Sequence, residues 1–135
     1  MTSVASTIGL SGMQAATRRV EAVATNVANA QSSGTMPGSP GGPGTTPAFQ
    51  PVRVTLSEAA SGGVNASASR DPSAVSAVYD PTSPNADAAG LVGMPQVDLA
   101  TQAVDLIAAK VQYEASARIV RAARDMERTT LDTLA

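Results

Sequence analysis

From Gln96 to Ala135 the chain has neither glycine nor proline, although its 135 residues hold 11 glycines and 9 prolines. Val104, Ile107, Val111, Ala115, Ile119, Ala122 and Met126 recur there at steps of 3, 4, 4, 4, 3 and 4. That spacing lays one apolar stripe along a helix. Lys110, Glu114, Arg118, Arg121, Asp125 and Arg128 fall on the other face, with opposite charges four residues apart. Asp98 is placed to cap the helix, and Met94-Pro95 keeps the preceding backbone extended. At ~1.5 Å per residue the helix over 97–135 is ~50 Å long. So small a chain cannot cover a helix of that length, so the stripe needs a partner.

A second helix is predicted over residues 4–30. Leu10, Met13, Ala16, Val20, Val23, Val27 and Ala30 step by 3, 3, 4, 3, 4 and 3, while Gln14, Arg18, Arg19, Glu21 and Thr25 face away. Gly9 and Gly12 weaken its start. Asn29 suits a helix end, because Asn tolerates the left-handed conformation. Termination does not explain Asn26, a turn earlier. Two Asn three apart share a face and can bond backbone groups of a packed neighbour.

The segment between the helices has a different character. Residues 34–47 contain five Gly and four Pro, which excludes helix and sheet and predicts a flexible linker over 31–47. Residues 48–96 carry weaker signals. Val52, Val54 and Leu56 alternate with Arg53 and Thr55 as in a half-buried strand. Ser76–Tyr79 is a second candidate strand, and residues 61–69 read as a polar turn or small hairpin. Asp80, Asn85 and Asp87 form turns; they lack the alternating ligands and closing Glu of a calcium loop.

Composition narrows the function classes. One Phe, two Tyr and no Trp leave no material for a thick core, since aromatics fill much of an ordinary one. With no His and no Cys, the common general bases, thiolate nucleophiles and zinc ligands are missing. Lys110, the only Lys, sits among helix charges and reads as solvated. Neither an enzyme nor a cofactor is expected. The net charge of −2 is spread evenly, and Arg118, Arg121, Arg124 and Arg128 form only a modest ridge, so nucleic acid is not an expected partner. No apolar run reaches the roughly 20 residues of a membrane span, and the N-terminus lacks a basic and apolar leader.

Two blocks resemble a known family. Ser11-Gly-Met-Gln-Ala-Ala16 with Ala24-Thr-Asn-Val-Ala-Asn-Ala30 resembles the N-terminal signature of bacterial flagellar rod and hook proteins. Val78-Tyr-Asp-Pro81, Pro84-Asn-Ala-Asp-Ala-Ala-Gly-Leu-Val92 and Met94-Pro-Gln-Val-Asp98 resemble the stretch before the last helix of the proximal rod, protein C type. Val104–Ala115 is similar to that family's C-terminal helix. Two features depart from it: the Gly/Pro-rich stretch and Phe49-Gln-Pro-Val-Arg53 replace the usual Tyr-Arg pair, and Glu114-Ala-Ser116 replaces an Ala-Asn pair.

The expected fold is mainly α: two long terminal helices packing as a coiled-coil-like pair, with a short loop-rich/β middle segment. Residues 1–30 form the first helix, 31–47 the linker, 48–96 the insert and 97–135 the last helix. The resemblance implies a structural subunit of the basal-body rod, exported by the flagellar type III system into the periplasm without a cleaved signal. It implies assembly with other rod subunits and with the basal-body export-gate adaptor, into a drive shaft that transmits torque to the hook. The expected subunit contacts are Val20, Val23, Asn26, Val27, Asn29, Val104, Ile107, Val111, Ala115, Ile119, Ala122 and Met126. The alternative is a self-contained coiled-coil adaptor unrelated to flagella.

Overall fold

The computed structural model describes residues 4–39 and 44–134. Helix α1 spans Val4–Asn29 and helix α2 spans Leu99–Leu134. Between them lie β1 (Val52–Glu58), β2 (Val64–Arg70), a short 3-10 turn (Pro72–Ala74), β3 (Val75–Tyr79) and β4 (Leu91–Pro95). The strands make two separate two-stranded sheets, β1-β2 and β3-β4. Among the described residues, no helix is long and apolar enough to cross a membrane.

Asp98 caps α2. Its carboxylate accepts the amide of Ala100 at 3.0 Å and the hydroxyl of Thr101 at 2.6 Å. The first satisfies a backbone amide that a helix start otherwise leaves unpaired. Both hold the Asp98 carboxyl below its ordinary pKa, the Thr101 hydroxyl most strongly.

The chain divides into two units. The first comprises Met1–Glu21, Val54–Ala68 and Val104–Ala135. Its buried side chains are small: Ala15, Ala16, Ala109 and Ala123, with Ser116. Within it, Gly9 and Gly12 of α1 lie directly on α2. A Cβ at Gly9 would come 2.7 Å from Val120 Cγ2, and one at Gly12 would come 2.5 Å from the Ser116 hydroxyl. Here the glycines that lower helix propensity allow the two backbones to approach closely. The β1-β2 turn meets the same helix, where Ser11 Oγ accepts the amide of Val64 at 3.2 Å.

The second unit comprises Ala22–Arg53 and Ser69–Ala103. Strands β3 and β4 pair antiparallel, from Val75 opposite Pro95 to Tyr79 opposite Leu91. Gly34 bridges the other edge of β4, exchanging bonds of 3.0 and 2.7 Å with Gly93. Gly93 is hemmed in, because a Cβ there would sit 2.8 Å from that of Ala48. Val92, Ala48, Ala22, Val23 and Pro95 are buried among the described residues of this unit.

Strand β4 was not expected from the sequence, and β2 falls where a polar turn or small hairpin was expected. The expected exclusion of backbone pairing from residues 34–47 is corrected at its start. Gly34 and Thr35 precede the first proline, keep their amides, and form bridges to Gly93 and Pro47. Asn85 secures this base by donating to the Ser33 carbonyl and accepting the Thr46 amide at 3.0 Å. Residues 40–43 of the predicted linker lie outside the described residues. The Asp80 and Asp87 carboxylates form turns, accepting the Thr82 amide and the Ala89 and Leu91 amides respectively.

Candidate assembly surface

Helix α2 is amphipathic, but its buried face is not its apolar one. The residues with least solvent exposure, Ala117 apart, are Gln102, Asp105, Ala109, Gln112, Ser116, Val120, Ala123 and Glu127, at steps of 3 or 4. The large apolar residues lie elsewhere. Val104, Ile107, Val111, Ile119 and Met126 are 50–65% exposed. At about 100° per residue, the two stripes are roughly 110° apart around the helix. Ala115 and Ala122 are exposed along the apolar stripe as well.

On α1 the low-exposure stripe is Gly9, Gly12, Ala16, Arg19, Val23 and Asn26. Val20 and Val27 are exposed, and Asn29 is half-buried with its amide donating to the Thr25 carbonyl of its own helix at 2.8 Å. Val23 and Asn26 are buried within the chain. Arg19, expected to face away, instead reaches α2 within the first unit. Its guanidinium lies 3.4 Å from Asp105 and 3.2 Å from the Gln112 side-chain oxygen. Because Asp105 is nearly half exposed, solvent screens this pair, and its role is alignment more than stability.

Sequence periodicity finds large side chains, so it found the exposed stripe and missed the packed one. Across the two helices the packed stripes are mostly Gly, Ala, Ser, Gln and one ion pair, which carry little hydrophobic signal, with Val23 and Val120 their only larger apolar members. Their only advance marker was the pair Gly9 and Gly12 inside an otherwise regular helix.

Five large apolar residues on one side of α2 offer a substantial surface to a neighbour. Burying what remains exposed of each is worth about 1–2 kcal/mol. Arg118, Arg121, Arg124 and Arg128 are exposed as well, but centred on a separate flank of the helix from the apolar stripe.

Two long terminal helices with large apolar residues exposed along them, joined by a β-containing middle segment, define a helix-ended subunit. A family model described as "Flagellar basal body rod FlgEFG protein C-terminal" matches residues 88–133. The chain is similar to the flagellar basal-body rod protein FlgC of Agrobacterium fabrum, at 31% identity over 98% of this chain and 94% of that one. It is 34% identical to FlgC of Aquifex aeolicus over 90% of each chain. FlgC of Salmonella typhimurium is 32% identical, over 90% of this chain and 89% of the other. The chain belongs to the FlgC family of flagellar basal-body rod proteins.

Proposed function

We propose that the chain is a structural subunit of the flagellar basal-body rod, assembled through its terminal helices. The exposed stripe Val104, Ile107, Val111, Ile119 and Met126 carries this reading. The names of its relatives agree with it. Residues 1–30 and 97–135 are the assembly helices, which pack as a coiled-coil-like pair within the chain. Residues 31–47 are the linker, and 48–96 form the outward insert. Val20, Val27, Ala115 and Ala122 extend the contact surface. Val23 and Asn26 support it from inside the subunit.

The partners in this reading are other rod subunits and the export-gate adaptor. The subunit is exported by the flagellar type III apparatus into the periplasm and transmits torque to the hook. It has no catalytic role. The outward apolar stripe counts against a self-contained adaptor, which would turn those residues inward.

The test is genetic and biochemical. Cells lacking the gene are expected to be non-motile and to have no rod beyond the inner rings. A tagged copy should restore swimming and co-purify with basal bodies. Motile cells without the gene, or basal bodies free of the tagged chain, would overturn the reading.

A further inference from the structure

Asn26 is 4% exposed, and three of the four hydrogen-bonding positions of its side chain are used. Its Oδ1 accepts the amide of Val52 at 2.7 Å. Its Nδ2 donates to the Val52 carbonyl at 2.9 Å and to the Gln102 side-chain oxygen at 3.1 Å. All three residues lie in the second unit. A neighbouring strand would offer Val52 the same acceptor and donor. The side chain therefore takes the place of a strand at the first residue of β1, and in the same act joins α1 to α2.

We propose that Asn26 is a positioning residue that docks the start of β1 on the end of α1, so that helix and strand become ordered together. Val52 begins β1, five residues beyond Pro47, where the Gly- and Pro-rich stretch ends. The clamp fixes the start of the strand directly from the helix. Asn26 is the member of the Asn pair that helix termination does not explain. Asn29 is the natural control, because its side chain donates to the Thr25 carbonyl of its own helix and it reaches Ser32 only through its backbone carbonyl.

The experiment is made on the purified chain, so its outcome is separate from that of rod assembly. Amide hydrogen exchange is followed residue by residue in the unaltered chain and in Asn26→Leu, Asn26→Asp and Asn29→Ala. Leu fills the volume without hydrogen bonds, and Asp keeps the shape but donates nothing. Exchange at Val52 is expected to quicken about tenfold in Asn26→Leu, and by less in Asn26→Asp, which loses the two donations but keeps an acceptor for the Val52 amide. It should be unchanged in Asn29→Ala, as should exchange around Ala109 in all three. A second measurement, on the unaltered chain alone, covers the case of a variant that fails to fold. A through-hydrogen-bond NMR coupling should link Asn26 Nδ2 to the Val52 carbonyl carbon. Unchanged Val52 exchange in Asn26→Leu, an unprotected Val52 amide in the unaltered chain, or absence of the coupling would each overturn the proposal.

Discussion

At the scale of single residues, the fold depends on small side chains and a few placed polar ones. Gly12 faces the Ser116 hydroxyl with no room for a Cβ. Gly12→Leu should therefore destabilise the chain by about 1–3 kcal/mol, as overpacking does, measured by urea denaturation. Asp98 makes a separate prediction. Its folded pKa is lowered, so its stabilising effect is present above the ordinary carboxylate value and fades as pH falls through the lowered one. Helicity at the start of α2 should fray with acid in that window, and Asp98→Asn should remove this acid dependence, as read by NMR of Ala100 and Thr101. The cap was legible in the sequence because capping is local chemistry. The partners of Asn26 and Arg19 were not, because they lie 26 and 86 residues further along the chain.

At the scale of elements, both helices were legible from their length and periodicity, the onset of β1 from alternation, and most of β3 as the candidate strand Ser76–Tyr79. Strand β4 was hidden because Leu91–Pro95 holds a Gly and a Pro, both disfavoured in strands. The structure resolves each. Gly93 sits where a Cβ would collide with Ala48, and Pro95 stands at the end of the strand, opposite Val75. Which face of α2 is packed was also not legible. Amphipathicity marks where apolar bulk lies, and in this helix that is not where its buried contacts lie. The Gly/Pro-rich stretch yields a prediction at this scale. Its base is bonded at Gly34, Thr35 and Asn85, and β1 is held at Val52 by Asn26. Lengthening it by about four residues after Gly38, which has open space around it, should then cost less than ~1 kcal/mol, because closure entropy grows slowly with loop length. Thermal denaturation of the lengthened chain checks this.

At the scale of the whole molecule, the chain resembles one half of an interface. Among its described residues the buried apolar set is mostly alanine, and the larger apolar side chains are mostly left in solvent. Such a distribution is unfavourable for an isolated protein and suited to one completed by neighbours. The two helix faces divide the work: the small and polar one meets the chain itself, and the large apolar one is left for others. Val111→Asp separates these roles. Val111 is 60% exposed, so the purified variant should keep the helicity of the unaltered chain and its stability to within about 0.5 kcal/mol. In cells it should be absent from isolated basal bodies, and the cells should not swim. A folded Val111→Asp chain that enters the rod as efficiently as the unaltered one would contradict the account.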